Sequence, residues 1–352
     1  MSSPGPRRDR PVQPIPTSYN LAESQFREAL EELRRDNSQP PRFVWPDATN
    51  LCGPFLPGHL WIAGARPANG KTTFLLNTFD GLVRNRWPCL YLTTEMKAEE
   101  LRRLWAAMRL GFDVDAVLEN AWDRLPTGAL GQLEREVEER AMQSDVAVLC
   151  DLPVLDTTSV AAALKQYAVE EGFRFVFIDH IHRWTPSKIE NKTGELGAAV
   201  QALKATAVKF KLTIFLAAQV ARPADKTPLA EFQPSPNSSL SQTMALESEA
   251  NAIIMLHRMR RPSITLAMCK EVNEGRRDVR DLIEPGVMCA SVTKLRHRPK
   301  AVGRTFRLQV RDSGRLDGLD HQMRVHLGLE AEVPVDEGTA ISPEDDEPVL
   351  PF

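Results

Sequence analysis

No run of 18 uninterrupted apolar residues occurs in this 352-residue chain, and its first residues form no hydrophobic signal segment. A membrane-spanning helix is excluded on that ground, and a cytoplasmic location is expected. Cysteine is scarce. Cys52, Cys89, Cys150, Cys269 and Cys289 are odd in number, widely spaced and without a CxxC pair, which indicates neither a zinc site nor a disulfide framework. They read as buried free thiols. An excess of basic charge is also missing, since 44 Lys and Arg face 47 Asp and Glu. The chain is therefore no uniformly basic nucleic-acid coat, and any such contact has to be local.

What the sequence does contain is a strand, a loop and a helix in close succession. Leu60-Trp61-Ile62-Ala63 is an apolar strand candidate, and Phe74, Leu75 and Leu76 resume the apolar pattern after a loop ending in Gly70-Lys71-Thr72-Thr73. This is the setting of a phosphate-binding P-loop, where backbone N–H groups and a helix N-terminus point at phosphates. The loop Ala65-Arg66-Pro67-Ala68-Asn69-Gly70-Lys71-Thr72-Thr73 is the candidate nucleotide cradle. Lys71 would reach the β- and γ-phosphates of ATP, and the Thr72 hydroxyl would ligate Mg²⁺. Ala65 stands where the usual GxxxxGK[ST] pattern has its first glycine.

Along the chain, residues 1–18 hold five prolines and three arginines and read as a flexible arm. Asn20 and Glu23 form a capping-box pattern ahead of an apolar stripe on Phe26, Leu30 and Leu33, which predicts a short helix. Strands are expected at 60–63, 89–94, 146–149, 173–178 and 212–218. Helices at 97–110, 129–142, about 160–167 and 195–210 alternate with them. Such alternation implies an α/β fold with a mostly parallel sheet covered on both faces and its site at the strands' carboxyl ends. Residues 221–243, rich in Pro, Ser, Asn and Gln, read as a mobile loop. Further strands at 252–256, 263–269, 288–294 and 304–310 suggest hairpins extending the sheet. Residues 331–352 carry seven acidic and no basic side chains and read as a solvated tail. The expected division is an arm and linker helix over 1–43, a core over 44–318 and a C-terminal extension over 319–352.

ATP hydrolysis needs a carboxylate near Mg²⁺, a base for water, a γ-phosphate sensor and compensation for developing charge. Asp179 ends the sheet-like run Phe173–Ile178 and suits the Mg²⁺ role. Glu95 follows another strand and suits the general base. Gln219 follows strand 212–218 and is placed to hydrogen-bond γ-phosphate and water.

With these motifs in order, residues 44–315 resemble the core of DnaB-type replicative helicases, within the RecA-like ATPases. Ala65-Arg66-Pro67 reproduces the Ala-Arg-Pro that precedes the family's P-loop, and Glu95 in TTEMKAEEL resembles its catalytic glutamate. FVFIDH, ending at His180, resembles its Mg²⁺-coordinating strand end. LKATAVKFKLTIFLAAQVAR resembles the segment that closes on the glutamine sensor, with Arg222 matching a following arginine. LESEANAIIMLHR resembles the family's I-E-Q-D-A-D strand start, with Glu249 and Asn251 in place of its two aspartates.

The resemblance implies a RecA-like three-layer sandwich, a central mostly parallel sheet extended by antiparallel C-terminal hairpins. It also implies a K-x-R segment acting on a neighbour's nucleotide, here Lys294 and Arg296 with Lys270-Glu271-Val272-Asn273 as a rival placement that lacks the arginine, and assembly into a ring, expected as a hexamer. The implied activity is a 5′→3′ helicase or translocase on single-stranded DNA in replication. Arg183, Lys188 and Lys192 after one strand, and Arg222 and Lys226 after another, are then the DNA-facing candidates. A loader or primase is an expected partner, although only about 43 residues precede the core. Two other functions fit the same loop, a recombination or regulatory ATPase without unwinding activity and a nucleotide-gated scaffold or loader. Intact Lys71, Thr72, Glu95 and Asp179 argue against the scaffold.

Overall fold

Apolar residues on successive strand positions face opposite sides of a sheet, and this chain sorts them by shape. On one face Trp61, Phe177 and Phe215 join Phe43, Trp45, Phe55, Phe74 and Phe79 in a largely aromatic core. On the other, Leu60, Ile62, Ile178 and Leu216 build an aliphatic core with Val200 and Leu203 of a covering helix. The computed structural model describes residues 40–94, 96–141, 147–151, 156–181, 192–220, 232–240 and 244–329. The chain divides into units Met1–Pro41 and Arg42–Phe352, and the sheet belongs to the second.

The elements that frame the site are α1 (Pro46–Cys52), β1 (Leu60–Ala65), α2 (Lys71–Arg84), β2 (Cys89–Thr93), α3 (Ala98–Leu110), β3 (Ala147–Asp151) and β4 (Phe175–Asp179). They are followed by α4 (Lys192–Lys209), β5 (Thr213–Gln219), α5 (Met244–Glu249), β6 (Ala252–Arg260) and α6 (Leu266–Asn273). The chain then forms β7 (Ile283–Leu295), β8 (Thr305–Val310), β9 (Leu316–Gly318) and α7 (His321–His326). Among the described residues the sheet has nine strands in the order β3-β2-β4-β5-β1-β6-β7-β8-β9. Pairing is parallel from β3 to β6 and antiparallel from β6 to β9. This is the expected parallel sheet extended by antiparallel hairpins.

Register stacks three rings across neighbouring strands. Tyr91 and Phe177 lie 5.7 Å apart with 3° between their planes, and Phe177 and Phe215 lie 4.7 Å apart at 9°. Each such pair contributes on the order of 1 kcal/mol beyond its area burial. At the far side, the buried Asn77 of α2 donates to Gly314 O (2.9 Å) and accepts from Leu316 N (2.9 Å), tying the P-loop helix to β9. Both outer strands are short and meet arginine side chains. Asp317 of β9 pairs with Arg311 and Arg315, each at 2.9 Å, and Leu149 O of β3 accepts from Arg102 (3.1 Å).

One expected strand is a helix. Residues 263–269 were expected to be extended, but Leu266–Asn273 forms α6, with Thr265 Oγ1 accepting from Met268 N at 3.3 Å as its N-cap. The run Leu266–Cys269 offers no alternation. Cys269 and Val272, one helical turn apart, bury against Leu282 instead. The expected N-terminal helix at Asn20, Glu23, Phe26, Leu30 and Leu33 and the acidic tail 331–352 lie outside the described residues. Among those described, no helix is long and apolar enough to cross a membrane.

Candidate nucleotide-binding site

Parallel register brings the carboxyl ends of four strands together. Ala65 is opposite Gln219 and Thr93 is opposite Asp179, with β5 pairing β4 between them. The chain leaving β1 turns back at once. Asn69 N donates to Arg66 O (3.3 Å), Ala68 takes φ 60° and Gly70 φ 75°, and Lys71 is the first residue of α2. At Gly70 this left-handed backbone favours glycine, and a Cβ there would also run into Met288 of β7. Helix closure begins immediately, with Phe74 N donating to Gly70 O at 2.9 Å.

Above the loop lies a cavity of about 510 Å³, walled by Pro67, Ala68 and the Gly70–Thr73 turn and closed by His180 and Gln219. Its size falls within the range of ligand pockets. The amino end of α2 lines it with Lys71, Thr72 and Thr73, an ammonium and two hydroxyls at a helix start, a donor set made for phosphate oxygens.

Asp179 is buried, 3% exposed, at the end of β4. The Tyr91 hydroxyl donates to its Oδ2 at 3.1 Å, so the aromatic ladder ends on this carboxylate. Burial, and then the neighbouring Asp179, push the Tyr91 phenol well above its ordinary value and keep it a donor. Thr94 N donates to Asp179 O (2.9 Å), joining the tips of β2 and β4, and the Asp179–His180 peptide bond is cis. Thr72 and Asp179 offer hard oxygen donors, the chemistry Mg²⁺ takes when phosphates and water complete its shell. Among the described residues no group of three or more His, Cys, Asp or Glu could hold a metal by itself.

Arg258, near the end of β6, escaped the sequence reading. Its guanidinium donates through Nη2 to Ala68 O (2.6 Å) and through Nε to Asn69 Oδ1 (3.1 Å), bracing the loop where its backbone turns left-handed. The available signal was an arginine following an apolar strand at the sheet end that carries Asp179 and Gln219.

Lys294 and Arg296 lie elsewhere. Lys294 is opposite Ile253 and Leu295 opposite Ala252, at the amino ends of the parallel strands. From there to the level of Ala65 is about 13 Å along β6, so these two side chains are not brought to this chain's own cradle. Lys294 Nζ donates to Glu247 O and to Ser248 O (3.3 Å), and Arg296 Nη2 to Ser248 O (2.5 Å). Burial, and then the charge of Arg296, lower the Lys294 pKa. Asn251 organises this end. Its Oδ1 accepts from Leu60 N (2.9 Å) and Lys204 Nζ (2.8 Å), while its backbone carbonyl accepts from Arg296 N (2.9 Å).

Glu95, Arg183, Lys188, Arg222 and Lys226 lie outside the described residues, as does the side chain of Lys192 at the start of α4.

A family model for the DnaB-like helicase C terminal domain matches residues 46–296. The replicative DNA helicase DnaB of Treponema pallidum is 25% identical over 228 residues, covering 64% of this chain and 49% of that protein. That of Buchnera aphidicola is 25% identical over 229 residues, covering 61% and 45%. The chain thus spans about half the length of these relatives. Among solved structures, a DnaB-like replicative helicase described with its interactions with primase superposes with a TM-score of 0.64. That match has 16% identity and covers 88% of this chain and 68% of that one. The ATPase domain of G40P superposes with a TM-score of 0.66 at 16% identity, over 85% and 98%. These structural likenesses carry the fold alone, a RecA-like α/β sandwich.

Proposed function

The chain belongs to the DnaB-like helicase C-terminal domain family, and from that membership we propose that it is an ATP-driven motor on single-stranded DNA, moving 5′→3′ in replication as a hexameric ring. The observation that carries this reading is the division of one sheet between two half-sites. The phosphate cradle stands at its carboxyl ends, and Lys294 with Arg296 stand at the amino ends. A lysine and an arginine so far from their own cradle serve a nucleotide held by the next subunit.

In that arrangement Lys71 neutralises the β- and γ-phosphates, held in line by the loop that Arg258 braces. Thr72 and Asp179 would hold Mg²⁺, which supplies charge neutralisation at the transferred phosphoryl group. Glu95 takes the proton of the attacking water, and Gln219 hydrogen-bonds the γ-phosphate. The neighbour's Arg296, with Lys294 beside it, offsets charge that develops in the transition state. Gln219 ends β5, so its state passes into the segment that holds Arg222 and Lys226. Those two residues, with Arg183, Lys188 and Lys192 after β4, are the proposed strand contacts. Residues 1–43 serve as arm and linker, 44–318 as the cytoplasmic motor and 319–352 as an extension, with a primase or loader as partner.

The test is the ATPase rate with and without single-stranded DNA, together with the mass in solution with nucleotide bound. A ring-sized assembly stimulated by DNA is expected, and a monomer whose hydrolysis ignores DNA would overturn the proposal. Mixing Arg296→Ala with Lys71→Ala separates the trans arrangement from a local one. Two inactive variants regain turnover together only if the arginine of one subunit serves the loop of another.

A further inference from the structure

Two cavities away from the nucleotide loop run together. One, of about 470 Å³, is faced by Arg304, Arg307 and Arg324 with Asp47. The other, of about 450 Å³, is faced by Arg298, Lys300 and the same Arg304. They share Asn50 and Leu51 as well, and so form one groove beside the turn between β7 and β8. Asp47 is taken by Arg324 at 2.5 Å. Among the described residues this leaves four cations in the groove without a carboxylate. Arg298 is turned onto the carbonyl of Asn50 (2.7 Å), and Arg307 Nε is buried without a hydrogen-bond partner. Leu51, Phe306, Leu319 and Leu329 give the groove an apolar wall. Its ligand has to be acidic and partly apolar.

Such a segment begins at the wall itself. Leu329 lines the groove, and residues 330–352 that follow it carry eight carboxylate side chains and no Lys, Arg or His. They also include Val333, Val335 and Ile341 to meet the apolar side. Glu330, Glu332, Asp336 and Glu337 all fall within eight residues of Leu329, a reach of up to about 27 Å for extended chain. We infer that this basic groove is the docking site of the chain's own acidic C-terminal segment. Exposed ion pairs are individually weak. Tethering supplies the segment at an effective concentration near the millimolar range, which lets several weak pairs fill the groove. Salt screens them over about 8–10 Å, so the contact is displaceable by another polyanion.

The location gives the contact a consequence. His297 also lines the groove, next in sequence to Arg296. The docked segment therefore lowers the positive potential around the residue proposed to meet a neighbour's nucleotide. The docking itself rests on the groove's charge and not on the ATPase reading.

The experiment uses the full chain in two forms, the natural one and one in which every Glu and Asp of 330–352 is replaced by Gln and Asn. A fluorescent peptide of residues 330–352 is titrated against both at low salt and followed by anisotropy. The neutralised-tail chain should bind it at least about tenfold more tightly than the natural chain, whose groove is already filled. Adding Lys300→Ala and Arg304→Ala, two exposed positions that leave the core intact, should weaken that binding tenfold or more, as should 0.5 M salt. No binding to the neutralised-tail chain, equal binding to both forms, or indifference to the paired substitution would each overturn the inference.

Discussion

Replacing Arg258 tests whether the loop's shape is held from outside. In Arg258→Ala two hydrogen bonds vanish, to Ala68 O and Asn69 Oδ1. The guanidinium is half-buried, so each bond counts for about 1 kcal/mol rather than the larger value of a dry charged pair. Together they amount to about 2 kcal/mol, or about thirtyfold in kcat/KM for ATP. Arg258→Lys keeps the charge but cannot span both acceptors, so an intermediate loss is expected. The assay is steady-state phosphate release over a range of ATP, with a thermal melt of each variant beside it. Wild-type kcat/KM in the alanine variant would refute the bracing role. A drop in Tm without a change in kcat/KM would instead place Arg258 among the residues that merely hold β6.

Other expectations are simpler to state. Lys71→Ala should lose turnover while keeping the wild-type melting curve, and undiminished phosphate release would remove the assignment of the loop. Asn77→Ala strands Leu316 N–H and Gly314 O, so urea unfolding should show a loss of about 3 kcal/mol. An unchanged midpoint would mean that water replaces the amide. Burial, then the neighbouring His297, Lys204 and Arg296, depress His59 to about 4, whereas the unfolded chain takes up that proton near pH 6.5. Above pH 6.5 this group leaves stability unchanged, and stability falls as pH drops from there toward 4. The acid-side loss in Tm should shrink in His59→Gln, and an identical pH profile would count against it.

The nucleotide loop and Asp179 were legible because local pattern defines them: an apolar strand, a turn and a helix, or an apolar strand ending in a carboxylate. The hairpin extension followed from strand-length apolar runs without helical period. Residues 263–269 misled because Leu266–Cys269 is a short apolar run, and such a run does not separate a strand from a buried helix turn. Its N-cap, Thr265, was the better clue. Arg258, and the tie from Asn251 to Leu60, were invisible for another reason. Their partners lie 189 to 191 positions away in sequence, and only the strand order places β6 beside β1. The distance between Lys294 and the cradle likewise follows from antiparallel register, which no spacing along the chain records.

The two outer strands bear on how copies of this chain can meet. A bare sheet edge invites another strand to pair with it, and open-ended stacking follows. Here β9 is only three residues long, with its one aspartate clasped by two arginines, and a carbonyl of β3 already has a donor from α3. Among the described residues each border is a short ladder, three residues in β9 and five in β3. Self-association is therefore steered away from sheet-to-sheet growth toward contacts made by the strand ends, where a rotation between copies can close on itself.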